Sequence, residues 1–408
     1  MVDVSKESNA AFSRRVKTHI TGHEHRFAIT TPQELAPICL GEAALLDIPA
    51  PELTEAGVEF TGRLKDAYAC NLWLRTAGRV LCRLSSFRAG AVEQLFSKAS
   101  RIPWELWLNS RIPIDLQAGV EYSRISNEGK VVEIIAQSIE KRLGQTGAIH
   151  LPQSEKDAHD GGSGQNQLIQ KILVRLVENQ CRISLDTSGS HLYRRGYRLS
   201  GSTAPIRETL AAAILLKAGW KPDFPLVDGM CGSGVFAIEA ALMSRKIAPG
   251  LGRDFLFQKW PSFQEKSWAY LRRKAVESSL SKAAQPIVGI DISSEAIDLS
   301  RQNGSRAGTA CDIDWKNSDF FDFIPAKEGL EKGLVVLNPP YGVRLASDGP
   351  GLYEKIGAHL RLNFKGWKYA VLAKSRLEAA ALGAGRMRHW NIRHGGMNIT
   401  VAIGSISS

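Results

Sequence analysis

The sequence predicts an α/β protein in which a mixed α+β module precedes a doubly wound parallel sheet that ends in an antiparallel hairpin. From about residue 204, buried strands alternate with helices, which is typical of a parallel sheet covered by helices on both faces. The first 185 residues carry short strands and helices in mixed order, which favours antiparallel pairing. Two strand-like runs around Gly395-Gly396 predict the closing hairpin.

The length and the charge of the chain restrict its class. At roughly 150 residues per domain, 408 residues predict two or three domains. Lysine and arginine outnumber aspartate and glutamate 52 to 41, which gives a formal charge of +11. This excess favours a polyanionic partner such as nucleic acid, and a charge that serves solubility is the alternative.

Cysteine spacing and hydropathy indicate a reduced, cytoplasmic protein. The six cysteines form no CxxC pair, so neither a disulfide framework nor a zinc site is expected, and no metal is predicted. The first 25 residues lack the apolar core of a signal peptide, and no uncharged run approaches the ~20 residues that span a bilayer.

Elements of the first half follow from local patterns. Residues 1–25 are polar and are expected to form a flexible tail. The run "RFAITTPQELAPICLGEAALLDI" predicts strand, turn and helix, and "VEFTGRLKDAYACNLWLRTAGRVLCRLSSF" predicts strand, helix and strand. In "KILVRLVENQCRISLDTSG", apolar residues alternate with polar ones on both sides of Glu178-Asn179, so we expect a hairpin with one buried face.

In the second half, five apolar runs predict the strands of the parallel sheet: "PLVDGM", "PIVGIDI", "CDIDWKNSDFF", "GLVVLN" and "KYAVLAK". The first strand ends at Asp228 and is followed by Gly229, Gly232 and Gly234 before a helix, so the backbone can approach a ligand closely there. The run from Gly232 to Ala237 also fits the GxGxxA pattern of NAD sites, a weak signal alone.

The acidic residues favour S-adenosyl-L-methionine over NAD. An NAD site needs a carboxylate at the end of a second strand about 20 residues on, but Asp254 at that spacing follows no strand. Asp291 ends a strand further along and can bind a ribose diol. In "NSDFF", Asp319 can accept from an adenine amine while the Phe320 ring stacks on the base.

The segments "DGMCGSG", "GIDIS", "NSDFF" and "NPPYG" together resemble the class I methyltransferases that act on amino groups, including the exocyclic amines of nucleobases. The resemblance implies a Rossmann-like domain with S-adenosyl-L-methionine as cofactor. Cys231 is expected to pack under the cofactor loop and not to act as a nucleophile. The cofactor-binding residues that follow are Asp228, Gly229, Cys231, Gly232, Gly234, Asp291, Ile292, Asp319, Phe320 and Asn338.

The run "LVVLNPPYGVRL" predicts the catalytic residues. An exocyclic amine is a poor nucleophile, so it needs acceptors that orient its lone pair toward the methyl group. The side-chain carbonyl of Asn338 and the backbone carbonyl of Pro339 can accept its two N–H groups, and Pro340 fixes the direction of that carbonyl. Tyr341 supplies a flat face for a base removed from its stack.

The segments "DTSGSHLYRRGYRLSGSTAPIRETLAAAIL" and "APGLGRDFLFQKWPSF" resemble the THUMP-containing RNA guanine-N2 methyltransferases, most closely those acting on bacterial 23S ribosomal RNA. Some members of that family carry a second methyltransferase half, and the resemblance here covers one, so only the guanine-N2 activity is expected. The resemblance implies the following division: tail 1–25, ferredoxin-like subdomain 26–70, THUMP domain 71–185, basic linker 186–203 and methyltransferase domain 204–408. A tRNA guanine-N2 methyltransferase of similar architecture and a non-catalytic RNA-binding assembly factor are the alternatives, and the oligomeric state stays open.

Basic and aromatic residues in the linker predict contacts with RNA. Arginines alternate there with Tyr193 and Tyr197, a composition suited to phosphates and unstacked bases. Around Arg253, the rings of Phe255, Phe257 and Trp260 could border the base pocket, or pack in the core. The arginines predicted to bind RNA are Arg194, Arg195, Arg198, Arg253 and Arg344.

Overall fold

The protein folds around two β-sheets, one of eight strands in its first half and one of seven in its second. The computed structural model describes residues 8–144, 149–150, 169–198, 206–340, 349–394 and 396–407. None of the helices in these ranges combines the length and apolar character of a membrane-spanning segment. The predicted α/β class, with an α+β module in front, is confirmed.

The beginning of the chain is helical, so the prediction of a flexible tail over residues 1–25 is wrong for its described part. Helix α1 (Asn9–Val16) continues into a π-helical turn. Phe12 and Val16 pack against the N-terminal core, and Ile20 is completely buried. Phe12, Val16 and Ile20 are four residues apart and share one helix face. The residues between them are polar, so this apolar face is difficult to detect in the sequence.

The eight-stranded sheet has the order β2-β3-β1-β4-β8-β7-β5-β6. Its strands are β1 (His25–Thr30), β2 (Glu52–Thr54), β3 (Gly57–Gly62), β4 (Arg79–Arg88), β5 (Ile114–Glu121), β6 (Ile149–His150), β7 (Gln170–Val177) and β8 (Gln180–Asp186). Its helices are α2 (Ala36–Ala44), α3 (Leu64–Trp73), α4 (Val92–Ala99), α5 (Trp104–Trp107) and α6 (Glu128–Leu143).

Pairing in this sheet follows the prediction except at one strand. The expected hairpin is present, because β7 and β8 pair antiparallel with Ile172 opposite Leu185. Strand β5, however, pairs parallel with β7. The 16-residue helix α6 lies between them in the chain and provides the crossover that parallel neighbours require. The expectation of purely antiparallel pairing is therefore wrong for β5.

The seven-stranded sheet has the order β11-β10-β9-β12-β13-β15-β14. Its strands are β9 (Leu226–Asp228), β10 (Ile287–Asp291), β11 (Ile313–Asn317), β12 (Leu334–Leu337), β13 (Lys368–Ala373), β14 (Met387–His394) and β15 (Met397–Ser405). Its helices are α7 (Glu208–Lys217), α8 (Val235–Ser244), α9 (Glu265–Glu277), α10 (Ser294–Arg306), α11 (Gly349–Asn363) and α12 (Arg376–Ala381).

Strand direction in this sheet confirms a parallel sheet with an antiparallel C-terminal hairpin. Strands β9 to β13 pair parallel, whereas β15 is antiparallel to β13 and to β14. The chain leaves β9 toward β10 and β11 on one side and returns to β12 on the other. In parallel α/β sheets such a reversal opens a crevice at the carboxyl ends of the strands, where ligands bind.

One segment of the second half completes the core of the first. Residues 248–275 follow α8 in the chain, yet all their aromatic side chains except the exposed Tyr270 belong to the N-terminal core or pack against it. The Phe257 ring stacks on Tyr68 with centroids 4.2 Å apart, and the Trp260 indole donates to Gln170 over 2.8 Å. Phe255 is equally buried. These rings are therefore core residues, and their suggested place beside a base pocket is wrong.

Candidate active site

The carboxyl edge of the parallel sheet brings the predicted cofactor and catalytic residues together. Asp228 at the end of β9 lies in register with Gly289 of β10 and Val336 of β12. Asp291 and Asn338 therefore stand two residues beyond Asp228, on opposite sides of the loop that leaves β9. Because adjacent strands are about 4.8 Å apart, the two side chains flank a crevice roughly 10 Å wide.

The glycine-rich loop after β9 has two glycines with positive φ. Gly234 has φ +79°, and a Cβ there would lie 2.6 Å from the Trp315 ring. Gly232 has φ +54°, and a Cβ there would meet no atom within 4 Å. Gly234 is therefore required by packing, whereas Gly232 faces the open crevice.

Helix α10 holds this loop through two polar side chains that the sequence analysis missed. The Ser300 hydroxyl donates to the carbonyl of Gly232 over 2.8 Å, and the Asn303 amide donates to the carbonyl of Ser233 over 3.0 Å. Both side chains are completely buried. Their three-residue spacing on the helix that follows the second strand is the signal that could have identified them.

Asp228 is the buried carboxyl of the crevice. Its Oδ2 accepts from the backbone N–H of Ala237 over 3.3 Å, whereas Oδ1 has no hydrogen-bond partner among the described residues. Burial raises the pKa of this carboxyl to about 8, and the nearby charge of Asp291 adds to the effect. A buried oxygen without a donor is costly, so the site fits a ligand that brings a donor or a positive charge. The amino group of S-adenosyl-L-methionine has both properties.

Asp291 and Ile292 have the properties expected of a nucleoside-binding strand end. Asp291 Oδ2 accepts from the N–H of Gly232 over 2.8 Å, and Oδ1 accepts from the N–H of Ser293 over 3.0 Å. These two bonds fix the carboxylate at the rim of the crevice. The Ile292 side chain is 74% exposed and offers an apolar surface there.

The two residues predicted to contact adenine, Asp319 and Phe320, differ in their exposure to the crevice. Asp319 is partly exposed, and its Oδ1 accepts from the N–H of Phe321 over 3.0 Å. Phe320 is only 2% exposed because the 3-10 turn Phe320–Asp322 directs its ring inward, against His359 and Phe364. Its role as an exposed stacking surface for adenine is therefore corrected.

Phe320 instead supports the glycine-rich loop from below. A Cβ at Gly229 would lie 2.4 Å from the Phe320 ring and 2.5 Å from the Leu337 side chain. Cys231 is also buried, with its Sγ 3.8 Å from the Ser300 hydroxyl, and burial raises the pKa of its thiol well above the ordinary value. Both side chains thus pack beneath the crevice.

The predicted catalytic residues begin where β12 ends. Asn338 is half-buried, Pro339 is buried and Pro340 is exposed. Tyr341 and Arg344 lie outside the described residues. The amide of Asn338 therefore stands at the crevice beside the end of β9 at Asp228, the position from which it can contact a substrate next to the cofactor.

Arg195 in the linker does not face solvent, which corrects its predicted role in RNA binding. Its guanidinium donates to the carbonyls of Leu192 and Arg75, each over 2.6 Å, and lies 3.5 Å from the Glu239 carboxyl. Tyr197, also buried, donates its hydroxyl to Glu239 over 3.1 Å. These contacts join the two halves of the protein. Neither the Arg195 nor the Tyr197 side chain is available to bind nucleic acid.

Arg198 and Arg253 are likewise structural, so their predicted roles are corrected. Arg198 donates to the carbonyl of Ile206 over 2.8 Å, and Arg253 donates to the carbonyls of Ser190 and His191. Burial lowers the pKa of Arg253 to about 10. Of the predicted RNA-binding arginines that the structure describes, Arg194 alone is exposed.

A second group of cations lies at the end of strand β4 and beside the turn between β7 and β8, on the side of the eight-stranded sheet away from the junction of the two halves. Arg88, Lys98 and Arg124 line a cleft of about 420 Å³, here named the basic cleft, together with Gly90, Gln94 and Asn179. None of these lining residues carries a carboxylate. Strand β4 has 10 residues and runs from the junction of the two halves to this cleft, so about 30 Å separates them. The three cations come from separate segments of the chain, so no local motif in the sequence predicted this cleft.

Comparisons with protein families match both halves of the chain. The model of the RMKL-like methyltransferase domain matches residues 195–403, and that of the RlmL ferredoxin-like domain matches residues 26–81. No group of three or more His, Cys, Asp or Glu side chains that could hold a metal ion occurs within the described ranges.

Individual relatives agree with these matches. The "Ribosomal RNA large subunit methyltransferase K/L" of Psychromonas ingrahamii is 33% identical over 367 residues, which cover 88% of this chain and 47% of that protein. The chain thus spans about half the length of the first curated relatives it matches. The "Putative RNA methyltransferase slr0064" of Synechocystis is 29% identical and is covered over 97% of its length. The crystal structure of SMU.472 complexed with SAH superposes with a TM-score of 0.80 at 28% identity, covering 95% of this chain and 99% of that one.

Proposed function

The chain belongs to the RMKL-like methyltransferase domain family, and on this basis we propose that it transfers a methyl group to the exocyclic N2 of a guanosine in 23S ribosomal RNA. The second half has the fold of the S-adenosyl-L-methionine-dependent methyltransferases, so the predicted cofactor is confirmed. The substrate and the nitrogen that accepts the methyl group are the proposed parts.

The observation that carries the proposal is the position of Asn338 and Pro339 beside the glycine-rich loop. Both follow β12 directly, and β12 is hydrogen-bonded to the strand that ends in Asp228. The Asn338 side-chain carbonyl and the Pro339 backbone carbonyl are hydrogen-bond acceptors, and neither is a strong base. Such a pair suits an aromatic amine, which needs orientation more than deprotonation before it attacks a methyl group.

Each residue of the crevice has a role in this reaction. S-adenosyl-L-methionine, when bound, supplies an electrophilic methyl group. Asp228 receives the cationic amino acid end, Asp291 holds the ribose hydroxyls and Ile292 covers one face of the adenine. Asp319 accepts from the adenine amine. Asn338 and Pro339 would hold the amino group of the guanine so that its lone pair points at the methyl carbon, and the methylated nitrogen would then release its extra proton to solvent.

An RNA substrate is supported by the relatives and by the charge distribution. Relatives over both halves of the chain carry the names of ribosomal RNA or RNA methyltransferases. The basic cleft offers three cations to phosphates at a distance from the crevice that a folded RNA can span. We propose that the N-terminal module, with its ferredoxin-like and THUMP parts, binds structured RNA there. This function places the protein in the cytoplasm.

The test is methylation of RNA from a strain that lacks the gene. Purified protein and cofactor are added to unmodified 23S ribosomal RNA and to tRNA, and the nucleosides are analysed by mass spectrometry. We expect N2-methylguanosine in the ribosomal RNA. The same product in tRNA alone would favour the alternative substrate, and methylation at another atom would contradict the N2 assignment.

Variants of Asn338 test the proposed chemistry. Asn338→Ala removes an acceptor that acts on the reacting amine, so we expect kcat to fall about 100-fold or more, as when one preorganised catalytic hydrogen bond is lost. Asn338→Asp retains an acceptor oxygen and should keep more activity. Affinity for RNA should change little in either variant, whereas affinity for S-adenosyl-L-methionine measures how far Asn338 also contacts the cofactor. Full activity of Asn338→Ala would contradict the mechanism, and RNA binding without any methylation by the wild-type protein would favour an assembly factor.

A further inference from the structure

A second cleft lies where the N-terminal module meets the methyltransferase domain. It has a volume of about 260 Å³. Its walls come from the end of β1, the loop after β8, the start of α7 and the end of β14. Such a volume is slightly below the roughly 300–1,000 Å³ of typical small-molecule sites, so the cleft suits a single nucleotide and is too small for a duplex.

The cleft opens on the catalytic edge of the seven-stranded sheet. Leu337 is in register with Val371 of β13, and the ladder continues through β15 to β14, where Asn391 lies level with Ala373 at the end of β13. Arg393, which lines the cleft, is two residues further along β14. Three strand spacings of about 4.8 Å, roughly 15 Å, separate β12 from β14, and Arg393 lies three residues, about 10 Å, beyond the level of Asn338. The resulting separation of roughly 18 Å equals about five stacked nucleotides at 3.4 Å each, so a single RNA strand can reach both places.

Aromatic side chains form one wall of the cleft. The rings of His191 and Tyr193 stack with centroids 5.2 Å apart and planes 18° from parallel. The guanidinium of Arg207 lies 4.8 Å from the centre of the Tyr193 ring. Burial, together with the positive charges of Arg79 and other nearby cations, lowers the pKa of His191 to about 3. The imidazole is therefore uncharged at neutral pH and, stacked on Tyr193, adds a second aromatic ring to this wall without adding charge.

The charge of the cleft favours an anion. Arg207 and Arg393 are exposed at its rim, and none of its lining residues is an aspartate or a glutamate. Neither arginine has an ion-pair partner among the described residues. Two cations beside a stacked aromatic pair have the composition of sites for unpaired nucleotides, in which bases stack on rings or guanidinium planes and phosphates contact arginine.

We propose that this cleft binds an unpaired nucleotide of the RNA substrate near the target guanosine, with its base against His191, Tyr193 and Arg207 and its phosphate near Arg393. This inference rests on the proposed action on RNA. It assigns the recognition of flanking nucleotides to the junction of the two halves, whereas the basic cleft binds the body of the RNA. Removal of the cleft contacts should therefore weaken RNA binding without slowing the transfer of the methyl group from a saturated enzyme.

Two variants and two controls test the cleft with the full-length protein. In Tyr193→Ala we expect the KM for RNA to rise about tenfold, the usual effect of losing one base–aromatic stack. In Arg393→Ala we expect a smaller rise in KM. The slope of log affinity against log salt should fall by about one, the effect of losing one phosphate contact. Tyr193→Phe keeps the ring and should resemble the wild type. Arg388→Ala removes an exposed arginine from the opposite end of the same strand and should have no effect.

The kcat for RNA and the affinity for S-adenosyl-L-methionine should stay unchanged in every variant. Wild-type KM values in both Tyr193→Ala and Arg393→Ala would overturn the inference, and an equal loss in Arg388→Ala would show an effect of overall charge only. If the wild-type protein binds RNA but methylates none, the proposed function fails. The dissociation constants of the same variants for RNA then still decide whether the cleft binds a nucleotide.

Discussion

The guanidinium of Arg195 donates a hydrogen bond over 2.6 Å to the backbone carbonyl of Arg75. Arg75 in turn donates to the carbonyl of Ile247 over 2.7 Å. The first bond runs from the linker to the N-terminal module, and the second runs from that module to the methyltransferase domain. The relative position of the two halves, and with it the cleft between them, is therefore fixed by buried arginines.

Replacement of Arg195 should destabilise the protein, whereas replacement of its neighbour should not. Arg195→Ala leaves the buried Glu239 carboxyl without this cation and two carbonyls without their donor, so we expect a loss of about 3 kcal/mol in the free energy of unfolding. Arg194→Ala removes an exposed side chain, and its effect should stay within about 0.5 kcal/mol. Urea denaturation measures both. Equal stability of the two variants would contradict the structural role of Arg195.

Alanine at the two loop glycines should separate folding from cofactor binding. Gly234→Ala places a methyl group 2.6 Å from the Trp315 ring, so we expect a loss of stability of several kcal/mol or no folded protein. Gly232→Ala places its methyl group in open space, so only the positive φ costs stability, about 1–2 kcal/mol. This methyl group projects into the crevice and should abolish cofactor binding in a protein that still folds.

Thermal unfolding and calorimetric titration with S-adenosyl-L-methionine measure these effects. A folded Gly232→Ala variant with wild-type affinity for the cofactor would show that the crevice is not the cofactor site.

The carboxyl of Asp228 should make the cofactor-free protein less stable as the pH rises. Its pKa is about 8 in the folded protein and 3.8 in the unfolded chain. Between these values the folded state holds a proton that the unfolded state has released, so stability falls from about pH 4 to pH 8. Asp228→Asn removes the effect, and its stability relative to the wild type should be higher at pH 8 than at pH 5. Urea denaturation at several pH values would detect the change, and parallel pH profiles would contradict it.

The same carboxyl predicts a link between protons and cofactor. A positively charged ligand beside Asp228 favours the ionised form, so binding below pH 8 should release a proton and affinity should increase as the pH approaches 8. Titration calorimetry in buffers of different ionisation enthalpy measures the proton count. Asp228→Asn, if it still binds, should show no release from this group.

The basic cleft should control the salt dependence of RNA binding. Combined replacement of Arg88, Lys98 and Arg124 by alanine removes up to three phosphate contacts, so the slope of log affinity against log salt should fall by about three. The affinity for S-adenosyl-L-methionine should be unaffected. Exposed lysines and arginines on helix α9, such as Arg272, Arg273 and Lys274, provide a matched triple control. An unchanged slope would exclude the cleft as an RNA contact.

The fold and the cofactor site could be predicted because their signals are local. A buried strand that ends in Asp228, or one that runs into Asn338 and two prolines, identifies its own carboxyl end, and all parallel strands present that end at one edge. The glycine spacing then indicates a close ligand. Placement of these residues at a common crevice therefore needed no knowledge of distant contacts.

The roles of the linker arginines could not be predicted because their partners are distant in the sequence. Arg195 donates to the carbonyl of residue 75 and pairs with the carboxyl of residue 239. Arg253 donates to the carbonyls of residues 190 and 191. The local composition of "YRRGYR" is the same whether a guanidinium meets phosphates or backbone carbonyls. The basic cleft shows the converse, since Arg88, Lys98 and Arg124 converge from segments with no common motif.

The aromatic segment 248–275 has a consequence for synthesis on the ribosome. The core of the N-terminal module includes Phe255, Phe257 and Trp268, which are translated about 70 residues or more after β8 ends. A nascent chain that has just completed the first sheet therefore still has an unfilled apolar surface at Tyr68 and α3. The module reaches its final packing only when part of the methyltransferase domain has emerged, so the two halves mature as one cotranslational unit.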